Sequence, residues 1–245
     1  MGCDMGATPS GTLASQAVLD ELTALVHQRL TDSPFWTAFR AGELSMDELR
    51  SVFSQYYLWR NAFHRWFGVC IVKSPAFGTP APTDFILREL AEHIEEEVSG
   101  DHHGMCLRFM AAIGVPDVSA IEPLPATLDY GEHFPRRYLT AEETGERALA
   151  ALAARELVAP ERNRMTIDAF TGRYGIASGL EFFELHEELE YEHFCGLWNA
   201  VVQAAPAEVD GLLAAARDEI VRHVVFWDDV ADACRARSGA VPAGV

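Results

Sequence analysis

Apolar residues recur at intervals of three and four along almost the whole chain, and no convincing period-two run of β-branched residues interrupts them. That rhythm lines one face of a 3.6-residue helix and leaves nothing from which to build a sheet, so the expected fold class is all-α. The spacing predicts helices over Leu13–Leu30, from Ser45 to about Val72, from Thr83-Asp84 to Val98 and over His102–Ile113. Later helices are expected from Thr140 to Val158, beyond Pro160 to about Tyr174, from Ser178 to about Ala204 and over Pro206–Arg235. Ser45 with Glu48, Thr140 with Glu143 and Ser178 with Glu181 each match a capping box, a hydroxyl at the N-cap and a glutamate three residues on. Residues 75–82 read as a loop, and 116–139 as irregular connection with one short helix at Ala126–His133. There is no internal repeat and no low-complexity linker, so residues 1–245 read as one helical domain with 1–12 flexible.

The formal charge of −18, from 37 acidic against 19 basic residues, would repel a phosphate backbone and an anionic membrane surface. Nucleic acid and membrane are therefore not expected partners. No apolar run approaches the roughly 20 residues that span a bilayer, and Met1-Gly2-Cys3-Asp4 has neither the basic start of a secretion signal nor a myristoylation pattern. Five scattered cysteines without a CxxC pair read as reduced thiols, which together with the start predicts a cytoplasmic protein. Lys73 is the only lysine, so chemistry that needs a lysine amine has one place to find it.

The most informative segment is Phe182-Phe183-Glu184-Leu185-His186-Glu187-Glu188-Leu189-Glu190-Tyr191-Glu192-His193. On a helix, His186, Glu190 and His193 fall at about 0°, 40° and −20°, on the stripe that also carries Phe182, Leu189 and Leu197. Two imidazoles and a carboxylate on an apolar face are costly to bury unless something compensates them, and a bound metal does so most simply. Read alone, the segment is also satisfied by a charge-rich helix whose histidines pair with neighbouring carboxylates. Glu156 continues the core repeat Leu149, Leu152, Ala153, where the competing reading is a buried ion pair with Arg162, Arg164 or Arg173. In the helix from Thr83 the core stripe reads Leu87, Leu90, Ala91, Ile94 and Val98, flanked by Glu95 and Glu97, and His102 returns to it. At least some of these glutamates must belong to a solvated helix end. Imidazoles and carboxylates without thiolates suit iron or manganese better than structural zinc.

These residues resemble the haem-oxygenase-like di-iron oxidases, of the TenA- and PqqC-like fold superfamily, over roughly residues 30 to 200. His93-Ile94-Glu95-Glu96-Glu97 stands where relatives carry Asn-Leu/Ile-x-x-Glu, and His102 follows before Phe109 and Gly114-Val115. Glu156 precedes Pro160, and Phe182-Phe183 precede the last triplet; Pro34-Phe35, Gly42-Glu43-Leu44 and Gln55-Tyr56-Tyr57 also match. The resemblance implies a haem-oxygenase-like bundle of about seven helices. It implies two iron ions, Fe(II) reacting with dioxygen and Mn as a substitute, held by Glu97, His102, Glu156, His186, Glu190 and His193. Glu95 or Glu96 could replace Glu97, because the loop before His102 varies in length. Relatives that build para-aminobenzoate from their own tyrosine carry Tyr after the Pro-Phe pair and Lys ten residues beyond the middle glutamate. Trp36 and Thr166 stand there in this chain, which argues for an external substrate.

The expected activity is therefore oxidation of a small carboxylic acid, an amino acid first, by desaturation, carbon–carbon cleavage or nitrogen oxygenation in a biosynthetic pathway. A fatty acid is the alternative substrate for the same chemistry. Arg60, with Trp36, Trp59 and His64, is the candidate substrate pocket, the arginine pairing with the carboxylate among aromatic rings. Competing readings are a metal-free thiaminase-like or quinone-forming enzyme of the same fold, dependent on Cys70 or Cys106, and a metal-storage bundle. A homodimer is also expected.

Overall fold

The computed structural model describes residues 9–74 and 84–239, and among these residues every regular element is helical. The described residues form ten α-helices: α1 (Pro9–Asp32), α2 (Pro34–Ala41), α3 (Met46–Ala62), α4 (His64–Lys73), α5 (Asp84–Ser99), α6 (His102–Ala112), α7 (Pro125–Tyr138), α8 (Gly145–Gly172), α9 (Glu181–Ala204) and α10 (Val209–Gly239), with a 3-10 turn at Val118–Ala120. The all-α expectation holds, with more helices than the seven predicted. The loop expected at 75–82 and most of the flexible 1–12 segment lie outside the described residues.

Local chemistry explains several boundaries. Ser45 caps α3 and Glu48 returns the bond to the N-cap backbone, so this capping box forms as predicted. The other two do not. Thr140 donates instead to Arg137 O, and Thr144 caps α8 by accepting from Arg147 N. α9 starts at Glu181 after Leu180, with no side-chain cap. The predicted helix from Ser45 to Val72 is divided at Phe63, whose amide bonds to Arg60 O three residues back, a local 3-10 tightening. α2, not anticipated, is a two-turn helix opened by Ser33-Pro34, too short to show periodicity.

Two prolines lie inside helices rather than ending them. In α7, Pro135 offers no N–H to Gly131 O, and Trp66 Nε1 donates to that oxygen at 3.2 Å. Across Pro160, α8 runs on as one helix where a break was expected, because it is the central element, packed against α9 and α10 and also against α1 and α4. Ala148, Ala150, Ala151, Ala153 and Ala154 are all fully buried there, and their small side chains let neighbouring helices approach closely. Phe35, Phe39, Phe53, Tyr56, Phe170, Phe183 and Trp227 fill the core with edge-to-face and stacked rings about this axis. Cys70 and Cys106 are free, buried thiols, but Cys195 is disulfide-bonded. The expectation of reduced thiols fails at that residue, since pairing depends on which sulfurs the fold brings together and not on sequence spacing.

Candidate metal centre

α5, α6, α8 and α9 converge their polar residues on one interior, and the turn from α5 to α6 is shaped for it. Asp101 adopts a left-handed conformation at φ 54°, the only non-glycine residue to do so among the described residues. At Gly100 a Cβ would stand 2.6 Å from His102 Nε2, so glycine leaves room for that ring. The reversal puts Glu97, at the end of α5, beside His102, at the start of α6.

Glu97, His102 and His186 form the first donor group, with one ligand atom from each lying within 4.8 Å of the others. His102 Nδ1 is 3.3 Å from Glu97 Oε2, and His186 Nε2 is 3.5 Å from Glu97 Oε1. His186 Nδ1 donates to Phe182 O at 2.6 Å, which leaves the lone pair on Nε2 facing the carboxylate. Burial opposes ionisation of Glu97, but the His102 hydrogen bond works against it, and the carboxyl is held well below its ordinary range. Arg60 Nη2 also reaches Glu97 Oε2, at 2.9 Å.

The second group is His93, Glu190 and His193, under the same 4.8 Å limit. His193 contacts Glu190 Oε2 through Nδ1 at 3.0 Å and Glu96 Oε2 through Nε2 at 2.6 Å. Against the effect of burial, these carboxylates raise its pKa to about 9. His93 stacks on it with ring centroids 3.6 Å apart, and burial, reinforced by the His193 charge, lowers its pKa to about 3. Glu156 is completely buried, with Oε1 3.7 Å from His93 Nε2 and Oε2 2.5 Å from Arg155 Nη1. Burial drives Glu156 toward the protonated form, while the hydrogen bond from His193 keeps Glu190 ionised despite its own burial. The two groups feel one another, since the Glu190 charge raises Glu97.

Five of the six residues expected as ligands thus fall into two groups, and the sixth, Glu156, lies against the second. Its ion-pair partner is Arg155, not Arg162, Arg164 or Arg173. Of the three candidate glutamates, Glu97 points inward, while Glu96 reaches His193 from the surface side. The sequence reading missed His93 as a donor and Arg155 as a neighbour. His93 was legible in principle, four residues before Glu97 on the same face; Arg155 carried no signal.

Both nitrogens of His93, His186 Nε2, Glu156 Oε1 and Arg155 Nε are buried around the groups without a hydrogen-bond partner. Each costs about 1–3 kcal/mol if left unsatisfied, and a divalent cation at each group would take up the lone pairs of His186 Nε2, of one His93 nitrogen and of Glu156 Oε1. Imidazole and carboxylate donors without thiolate fit iron.

A cavity of about 670 Å³ opens onto the first group, lined among others by Arg60, Phe63, His64, Phe67, Glu97 and His102. Arg60 lies over the Phe182 ring at 5.0 Å. Trp36 and Trp59 do not line this cavity. Trp36 packs on Phe35 and Trp227 in the core, and Trp59 carries the Arg155 guanidinium at 5.0 Å from its ring. A larger groove, about 830 Å³, runs over α1 and α8 and touches none of the donors.

The chain is 26% identical over 216 residues to 4-aminobenzoate synthase of Nitrosomonas europaea, covering 84% of this chain and 87% of that protein. It is 25% identical over 198 residues to 4-chloro-allylglycine synthase of Streptantibioticus cattleyicolor, covering 77% and 74%. Among solved structures, a CADD-like protein from Nostoc punctiforme superposes with a TM-score of 0.73 at 20% identity, covering 90% of this chain and 98% of that one. A haem-oxygenase-like domain from Shewanella denitrificans gives 0.70 at 21%, covering 92% and 96%. At these identities the structures establish the shared fold. The family described as iron-containing redox enzymes matches residues 50–228, which include every donor of both groups, and the chain belongs to that family.

Proposed function

We propose that the protein is a non-haem di-iron oxidase or oxygenase that uses Fe(II) and dioxygen to oxidise a small carboxylic acid, an amino acid in the first instance. The observation that carries this reading is the pairing of two adjoining donor groups, each of two imidazoles and one carboxylate, with a cavity that presents Arg60. Bound there, two ferrous ions would supply the electrons for reducing dioxygen. Glu97, His102 and His186 would hold one ion, and His93, Glu190 and His193 the other, with Glu156 beside the second group between Arg155 and His93. Manganese suits the same donors.

Arg60 is positioned to bind a substrate carboxylate through its guanidinium fork, while Phe63 and Phe67 exclude water from the rest of the molecule. His64, in the same wall, can accept or donate a proton beside it. Two relatives are named for products that carry both an amino group and a carboxylate, which supports an amino acid over a fatty acid. The only lysine, Lys73, donates to Thr140 O, and Thr166 is buried against Arg162 O, so no amine stands near the donors for self-modification. Metal-free thiol chemistry finds no support. Burial raises Cys70 and pushes Cys106 up to about 12, which keeps both as unreactive thiols, and neither lines the cavity.

Anaerobic Fe(II) titration of metal-free protein, followed by an oxygen-consumption screen of amino acids, tests the proposal. It predicts two Fe(II) per chain, weakened binding in His186→Ala, and oxygen uptake stimulated by at least one amino acid and abolished in Arg60→Met. Wild-type protein that takes up no Fe(II) would refute it.

A further inference from the structure

Two openings reach the donor groups, and they differ in size and chemistry. The wide cavity at Glu97 and His102 presents Arg60 and aromatic side chains beside Glu97 and Asp101, which gives room and a cationic anchor for an organic anion. The second opening is a narrow mouth of about 120 Å³ between α5 and α9, lined by Glu89, Glu92, Glu96 and Glu192 and floored by His93 and His193. Glu92, Glu96 and Glu192 are exposed. The Glu89 carboxylate is turned onto α9 where only glycine admits it, since a Cβ at Gly196 would lie 2.3 Å from Glu89 Oε2. Glu96 spans rim and floor, bonded through Oε2 to His193 Nε2 at 2.6 Å.

What separates this mouth from an ordinary acidic surface is His93. It is 4% exposed, faces the mouth from below, and neither of its ring nitrogens has a hydrogen-bond partner. A buried imidazole with an unpartnered acceptor nitrogen at the bottom of an anionic funnel is a ready donor for a divalent cation.

We propose that the mouth lined by Glu89, Glu92, Glu96 and Glu192 is the route by which divalent metal ions load the centre, with His93 as the inner donor that receives them. This rests on the reading that His93, Glu190 and His193 hold a cation. The outer carboxylates concentrate hydrated cations at the rim. Glu96 then offers the oxygen that now pairs with His193, and the ion passes from it to His93 and His193 at the floor of the mouth. The organic substrate uses the other opening, so loading and turnover do not compete for one channel.

The test is stopped-flow association of Mn(II) with metal-free full-length protein, with a fluorescent chelator reporting free Mn(II), in three forms. These are wild type, Glu92→Gln/Glu192→Gln at the mouth, and Glu43→Gln/Glu142→Gln, which makes the same charge change elsewhere on the surface. The mouth variant should associate about tenfold more slowly at low ionic strength, with dissociation much less affected. The gap should shrink as salt screens the rim, and the control should behave as wild type. Equal association rates in the mouth variant and wild type, or equal slowing in the control, would overturn the route while leaving the metal centre intact. Wild-type protein that binds no Mn(II) would overturn both.

Discussion

Arg155 is 3% exposed, and its guanidinium lies between the carboxylates of Glu156 and Glu190 and the faces of Trp59 and Phe63. In metal-free protein it supplies the positive charge that buried, ionised Glu190 needs and a hydrogen bond to Glu156. Arg155→Met should therefore destabilise the metal-free protein by about 3–5 kcal/mol, and saturating Mn(II) should narrow that loss. Urea denaturation with and without the metal measures both; an equal loss in the two conditions would show that Arg155 and the metal do not share these carboxylates. A second buried network gives a pH signature. Tyr130 donates to Glu219 at 3.0 Å and contacts His223 Nδ1 at 2.9 Å, while Arg162 Nη1 approaches His223 Nε2 at 3.2 Å. Burial first, then the Arg162 charge, hold His223 well below its ordinary pKa. Below pH of about 6.5 the unfolded chain binds a proton that folded His223 refuses, so this residue removes up to about 1.4 kcal/mol of stability per pH unit on acidification. His133 has the opposite sign, because Glu219 raises it against burial; its contribution is full below pH of about 6.5 and is lost as pH rises through its raised value. His223→Asn should flatten the loss of stability between pH 7 and 5 in urea titrations. An unchanged slope would contradict this.

At the scale of elements, what the sequence reveals depends on length and on which partner a face meets. The His186, Glu190 and His193 stripe was legible because α9 is long, and the helical repeat fixes three residues spaced four and three apart on one face. α5 was read one position out of phase. Leu87 and Val98, assigned to its core stripe, are 41% and 79% exposed, and the buried face runs through Ile86, Leu90 and His93 toward Glu97. A helix with apolar residues on adjoining positions leaves its phase to the neighbours, and in this phase His93 becomes a donor. Thr140 and Ser178 matched the capping pattern without capping, since the pattern states what a hydroxyl can do and not which competing bond wins. The α5–α6 turn is where an element most directly sets the site. Gly100→Ala would force a Cβ to within 2.6 Å of His102 Nε2 and 3.0 Å of Glu96 O. Displacing that ring should weaken Mn(II) binding at the first group by about 1–3 kcal/mol, with helical content unchanged by circular dichroism; wild-type affinity in the variant would show that the turn does not position His102.

Across the whole molecule, α8 is the element on which the others depend. It carries Arg155 and Glu156 into the centre and packs against both α9 and α10, with several buried alanines in its first half. Ala154→Leu should overpack this axis and cost about 1–3 kcal/mol in urea denaturation, whereas a neutral outcome would mean that the helices around α8 can spread. Pro160 could not foretell this continuity, because a central helix is sustained by burial on its sides more than by its own hydrogen bonds. The surplus of acidic residues, −18 in all, takes on local meaning at the mouth above His93, where an anionic surface leads to orphaned nitrogens. If the two donor groups are halves of one dinuclear iron centre, as proposed, anomalous diffraction at the iron edge from crystals loaded anaerobically with Fe(II) will show it. Two peaks are predicted, one against Glu97, His102 and His186 and one against His93, Glu190 and His193; a single peak, or iron bound away from these residues, would contradict the account.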